Sequence, residues 1–359
     1  LACALAEAGH DVHLVCGEAE DERVLVPPRP YRCHLLRIPA RGGEIRQAAV
    51  FARAWHSLHR QLRFDVLHTH AEEAWLIARM RPWLAPALGH VATVHASWLP
   101  PRGFARDLAH GGWRVLDYHL LRDALRHATE LVVGSEFVAR LVRDALAHGT
   151  PPITVVRPAV DACWCEVERA RAREPTIVSW GRLVADKVPH TLALAFRELH
   201  RRWPTARLVW AGDGPARASL VASLREHDLA EHAELPGNQT PAQLVELAAR
   251  GWVAAFPTER ESFGLSIAEA ATAGIPVVAS AIGGVVEQIR PDDGVLVPPA
   301  DPAALARALA EVIDDIDRAE DRARRARDRR RSDGGWRRVA AEMEPVYDAA
   351  MRASHRRRS

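Results

Sequence analysis

The chain has 359 residues, about two domains at the usual ~150 residues each, and its 48% apolar and 26% charged residues exclude a disordered or fibrous protein. Forty-eight basic against 46 acidic residues leave a net charge of +2, so bulk electrostatics indicate no nucleic-acid partner. No apolar run approaches the ~18 residues of a membrane span, no signal peptide is expected, and five cysteines without a CxxC pair suit a reduced, cytoplasmic setting.

In chain order, residues 1–9 read as the end of an amphipathic helix stopped by Gly9. Strands follow at 11–17 and 31–39, a helix at 44–63, and further strands at 64–70, 90–97, 130–135 and 153–160. Ser135 is placed to cap the helix after it. Short Val/Ile/Leu-rich strands alternating with helices predict βαβ units and a parallel sheet covered on both faces. Residues 161–175 are charged, lack a period and end in Pro175, so a boundary is expected there, between a first domain over 1–165 and a second over 174–335. Strands then resume at 176–181, 206–212, 232–237, 252–257, 276–280 and 294–299, with Asp301-Pro302 as a helix start. The helical stretch 318–331 carries eight arginines against three acids and reads as a solvated face rather than a lipid or nucleic-acid surface. Two consecutive doubly wound α/β units result. Their ligands belong at the carboxyl ends of strands and in the cleft between domains.

The segment TIVSWGRLVADKVPH carries the strongest chemistry. A strand ends at Gly181, a loop presents Arg182 and Lys187, and a helix begins near Pro189. Two cations beside a helix N-terminus suit a diphosphate. Lys187 is the only lysine and the other 47 basic residues are arginines, so a compact ammonium is kept at one place, in this loop. In the segment AAFPTERESFGLSIAEAATAG, Glu261 lies on a loop after a strand, Phe263-Gly264 turns into a helix, and Glu269 lies within that helix. A loop carboxylate accepts from sugar hydroxyls, and a helical one chelates a ribose diol. Three alternatives are set aside. His68-Thr-His70 lacks a third metal ligand, Asp315-Ile-Asp317 sits at a helix end far from a strand terminus, and Cys163-Trp-Cys165 lacks a partner pair for zinc.

GRLVADK, AGDGP, ERESFGLSIAEAATAGIPVVAS with AIGGVVE, and GVLVPPADPAALARAL together resemble the nucleotide-sugar half of family 4 retaining glycosyltransferases of the GT-B fold. The resemblance covers nearly all of 176–315 and extends more loosely to 1–175. Glu261 and Glu269 match the family's E-x7-E motif, and Arg182 and Lys187 its phosphate-binding pair. It implies two Rossmann-like domains facing a cleft, with the backbone of Gly283 and Gly284 near the diphosphate and His95 reaching the donor sugar from the first domain. Gly181, Gly212 and Gly264 join the donor-binding set, and 336–353 resembles a helix crossing back to the N-terminal domain. The implied reaction moves a hexosyl unit from a UDP- or GDP-sugar to a hydroxyl of a glycan, lipid or small molecule, with retention. It needs no cofactor or metal, since the two cations hold the leaving group, and it allows peripheral association with the inner face of a membrane. A pyridoxal-phosphate phosphorylase shares the fold, but its Schiff base needs a lysine that Lys187 cannot spare. The non-enzymatic alternative is an inactive scaffold subunit of a polysaccharide assembly.

Val188, Ala159 and Ala96 stand where the family has glycine, each placing a Cβ where backbone approaches a ligand or takes positive φ. The chain opens with Leu1 inside a helical pattern, which is read as a missing start. By the family's topology 11–16 and 65–69 would flank an absent strand. A gap or forced pairing is therefore expected beside 11–16, with instability or inactivity of the chain alone.

Overall fold

The computed structural model describes residues 1–19, 29–38, 43–70, 75–95 and 112–356, so Ala96 lies outside the described residues. The chain divides into two compact units, Leu1–Arg157 with Trp336–Ser359, and Pro158–Gly335.

The first unit runs α1 (Ala2–Glu7), β1 (His13–Ala19), β2 (Arg32–Ile38), α2 (Gly43–Leu62), β3 (Val66–His70), α3 (Trp75–Leu84), β4 (Gly89–Val94), α4 (Gly112–His127), β5 (Glu130–Val133), α5 (Glu136–Leu146) and β6 (Ile153–Val155). Its strands are parallel but fall into two sheets, β1-β2 and β3-β4-β5-β6. Among the described residues no ladder joins β1 to β3. Ser135 accepts from the Val138 amide at 3.3 Å and caps α5, whose Val138, Val142 and Leu146 are fully buried.

The second unit runs β7 (Thr176–Trp180), α6 (Pro189–Arg202), β8 (Arg207–Ala211), α7 (Arg217–Glu226), β9 (Ala233–Gly237), α8 (Pro241–Arg250), β10 (Val253–Phe256), α9 (Leu265–Ala273), β11 (Val277–Ser280), α10 (Val285–Gln288), β12 (Val295–Val297), α11 (Pro302–Asp314) and α12 (Ile316–Arg331). One parallel sheet holds all six strands in the order β12-β11-β10-β7-β8-β9. Helices cover both faces. Leu192, Phe196 and Leu199 of α6 meet Leu305 and Leu309 of α11 on one face, and Ala248 of α8 meets Ile267 and Ala270 of α9 on the other. Burying each large apolar side chain contributes ~1.5–3 kcal/mol. The last helix, α13 (Gly335–Arg356), packs in the first unit: Ala340 joins Ala4 and Leu5, and Ser354 donates to the Leu88 carbonyl at 3.1 Å.

The second unit begins at Pro158, and the charged stretch 161–175 carries two apolar anchors. Trp164 and Val167 are buried in the second unit's core, and the Ala170 and Ala172 amides donate to the Ala249 and Arg250 carbonyls at 3.1 and 2.9 Å. One expectation needs correction: α12 is not simply a solvated face. Ala319, Ala323 and Ala326 are buried, Arg327 and Arg330 donate to the Val167 and Gln288 carbonyls at 2.9 and 2.6 Å, and Arg329 pairs with buried Asp293.

Candidate functional site

The strand order of the second unit reverses between β7 and β10: the chain runs outward through β8 and β9, then returns through β10, β11 and β12. Open parallel sheets bind ligands at such a switch point, beyond the strands' carboxyl ends. The loop after β7 carries Arg182 and Lys187, and the loop after β10 carries Glu261.

Several contacts fix these loops. Gly181 turns out of β7 at φ +131°, its amide donating to the Ala211 carbonyl at 3.0 Å. Buried Leu183 donates to the Asp213 carbonyl at 2.9 Å. Gly212, at φ +144°, passes so close to Gly181 that a Cβ would overlap the Gly181 carbonyl oxygen. Lys187 ends a short 3-10 turn, and Val188 follows at φ 35°, ψ 58° before Pro189 opens α6. This is the left-handed region, costly for a β-branched residue. Of the other two substituted glycine positions, Ala159 is not among the residues with positive φ. The Thr258 hydroxyl and Glu259 amide donate to the Asp186 carbonyl at 3.1 and 2.9 Å, stitching the loops together.

Lys187 Nζ and Glu261 Oε2 therefore form an ion pair, with side chains only 31% and 14% exposed, so bulk water screens it little. The pair lines an open pocket with Trp180, Phe256, Thr258 and Gly264. Gly264 opens α9 at φ +90°. The loop after β11 closes on the Glu261 loop: Gly283 takes φ +47°, and the Gly284 amide donates to the Glu261 carbonyl at 3.3 Å. A Cβ on Gly284 would overlap the Ser262 carbonyl oxygen. Arg182 is exposed and has no side-chain hydrogen bond among the described residues.

Half-buried Glu269 accepts from Trp180 Nε1 at 2.7 Å through Oε2. Burial pushes its carboxyl above the usual value, the indole hydrogen bond opposes this, and nearby Asp161 adds to the rise. Sequence reasoning missed Trp180: an aromatic closing a buried strand reads as core, and the direction of its N–H depends on packing. Asp315 lies between α11 and α12, and five free cysteines include Cys163 and Cys165.

His95 follows β4 in the first unit. Its Nε2 lies 3.0 Å from His70 Nδ1, the rings stack at 5.3 Å, and burial lowers its pKa. His70 is lowered to about 4 by burial and by His95. His68 gives both ring nitrogens to hydroxyls, those of Tyr347 at 2.9 Å and Thr93 at 2.7 Å. The His68-Thr-His70 motif is thus absorbed into a hydrogen-bonded network.

Comparison with known proteins also separates two halves of the chain, with the changeover at 163/164. The profile of glycosyltransferase family 4 matches residues 1–163, and that of glycosyl transferases group 1 matches 164–329. Glycogen synthase of Mycobacterium tuberculosis is 33% identical over 305 residues, covering 82% of this chain and 70% of the relative. D-inositol 3-phosphate glycosyltransferase of Thermobispora bispora is 32% identical over 324 residues, covering 82% and 72%. Among solved structures, sucrose-phosphate synthase from Thermosynechococcus elongatus has a TM-score of 0.83 at 21% identity, covering 98% of this chain and 92% of that one. Anabaena HepE in complex with UDP-glucose has a TM-score of 0.70 at 17% identity, covering 88% and 86%. The shared fold is GT-B, with two Rossmann-like domains.

Proposed function

Because the chain belongs to the family 4 glycosyltransferases, we propose that it moves a hexosyl unit from a UDP- or GDP-sugar to an acceptor hydroxyl with retention at the anomeric carbon. The observation that carries this reading is the chain's single lysine, paired with Glu261 at the switch point, with Glu269 held by Trp180 at the end of β7. Donor binding exchanges the carboxylate partner of Lys187 for phosphate, freeing Glu261 for the sugar hydroxyls. Glu269 takes the ribose diol, and the backbone of Gly283 and Gly284 borders the diphosphate. Gly181, Gly212 and Gly264 keep backbone and turns out of the donor's way. The contact of His95 with the donor sugar belongs to the same proposal.

In the proposed front-face displacement the glycosidic oxygen of the phosphate leaves, its negative charge held by Arg182 and Lys187. The acceptor oxygen bonds to the anomeric carbon on the same face, and its proton passes to the departing phosphate oxygen. One such stabilising donor typically accounts for ~10²–10³ in rate. The relatives' names cover a polysaccharide and a phosphorylated cyclitol, so the acceptor class is a polyhydroxylated glycan, lipid headgroup or small molecule. No helix among the described residues is long and apolar enough to cross a membrane; a peripheral, cytoplasmic enzyme is proposed.

The test is a transfer assay over UDP- and GDP-hexoses with the anomeric configuration read by NMR. Retention with full activity in excess EDTA is expected. An inverted product, or turnover that Mg²⁺ restores after EDTA, overturns the retaining or metal-independent part. Absence of any thermal shift with UDP or GDP favours the scaffold reading instead, since a ligand at 100 times its Kd adds ~2.7 kcal/mol.

A further inference from the structure

We infer that Trp180 is a positioning residue for Glu269, tying down one carboxylate oxygen so that the other is presented to a nucleotide's ribose. The inference rests on the donor-binding reading given under Proposed function. The indole is itself buried and packed on two sides: Trp180 is 3% exposed, stacked on Trp164 at 5.5 Å and 10°, and met edge-on by Phe256 at 5.2 Å and 85°. Its Nε1 stands 2.7 Å from Glu269 Oε2, while among the described residues Oε1 has no hydrogen-bond partner.

The chemistry of the pair is one-directional. An indole N–H only donates, and an ionised carboxylate only accepts. The bond therefore favours the charged form of Glu269 and holds one rotamer of it. Two influences push the other way, burial of the carboxyl and the neighbouring Asp161 carboxylate. Without the indole the carboxyl would hold its proton to higher pH and turn more freely, and both changes weaken its grip on a diol. A phenylalanine in place of Trp180 keeps an aromatic ring between Trp164 and Phe256 but removes the donor, so packing and positioning are separable.

Isothermal titration of the full chain with UDP and with GDP, from pH 5.5 to 8, tests this in wild type, Trp180→Phe, Glu269→Gln, the double variant and Trp164→Phe. We expect Trp180→Phe to weaken nucleotide binding roughly tenfold, the scale of one hydrogen bond to a charged group, and to move the acidic fall-off in affinity to higher pH. In the Glu269→Gln background the same change should cost little more, since coupled partners are not additive. Trp164→Phe, which trims the stack alone, should stay within about twofold. Unaltered binding by Trp180→Phe, full additivity with Glu269→Gln, or an equal loss in Trp164→Phe overturns the inference. A wild type that binds neither nucleotide overturns the donor-binding reading instead. A ligand-free readout covers a Trp180→Phe variant that fails to fold: in ¹⁵N spectra one indole resonance should titrate with pH in wild type and stop doing so in Glu269→Gln. No such resonance sinks the Trp180–Glu269 link.

Discussion

The two units are built from the same parallel βαβ grammar but bury different chemistry. In the second, β10 and β11 are buried at every residue, and the sheet is continuous across six strands. Its buried polar side chains include the hydroxyls of Ser179, Thr258 and Ser280, which do not titrate, and Asp293, which is paired with Arg329. In the first, the strands are split between two sheets, β3 buries only Thr69, and the interior holds Arg81, His90 and Glu130. His68 and His90 sit among hydroxyl partners, with Tyr347 pushed above the usual phenol range by burial. The contrast teaches that one pattern of strands and helices can frame either a sheet core whose buried polar groups are mostly hydroxyls or an interior whose packing depends on protonation.

The largest effect that sharpens this contrast belongs to the second unit. Lys187→Ala should lower kcat by ~10²–10³ with little change in donor KM, as expected for a group that acts mainly in the transition state. A rise in KM at constant kcat would assign Lys187 to ground-state binding. The variant should leave the first unit's response to acid untouched.

That response is the next largest. Burial, with Arg81 nearby, lowers His90 to about 3, against ~6.5 for an unfolded histidine. Between those values the unfolded chain binds the extra proton, so stability is lost as pH falls from ~6.5. By pH 4 His90 alone accounts for about 3 kcal/mol. Burial raises Glu130, which opposes part of this at the acid end. Hydrogen exchange at pH 7 and 4.5 should show β3–β5 losing protection while β7, β10 and β11 keep theirs. Equal retention in both sets would break the comparison.

Smaller effects lie in the donor loops. Glu269→Ala should raise donor KM roughly tenfold at nearly constant kcat, because a ribose contact is much the same before and during reaction. A selective fall in kcat would mean that Glu269 and Lys187 have exchanged roles. Val188→Gly should relieve a β-branched residue at φ 35°, gaining at most about 1 kcal/mol after glycine's own entropy cost. A raised melting temperature is the check, and a lowered one would show that the valine side chain contributes more than its backbone loses.

Much of the framework was legible because period and punctuation agree in both units. Ser135 and Asp301 cap the helices expected of them, the latter accepting from the Ala304 amide at 2.8 Å. Lys187, Glu261 and Glu269 stood out by scarcity and spacing, and the structure pairs Lys187 with Glu261 and sets Glu269 against Trp180. What stayed hidden depends on neighbours far apart in sequence. His70 meets His95 because β3 and β4 are adjacent, with His70 in register with Thr93. Trp180 meets Glu269 across 89 positions. Within the charged stretch at the expected boundary, Trp164 and Val167 pack into the second unit's core, which their surroundings in sequence do not announce. Val188 was flagged as a substituted glycine and does adopt positive φ, whereas Ala159 does not, which sequence alone could not separate.

The solitary ammonium of the pocket also has a practical side. Acylating reagents that attack ε-amines leave guanidinium groups alone, and this chain carries 47 arginines against one lysine. Apart from an α-amino group, such a reagent has a single target, and that target is seated on Glu261 in the pocket. The extent of labelling at Lys187, read by peptide mass, becomes a direct gauge of whether that pocket is occupied.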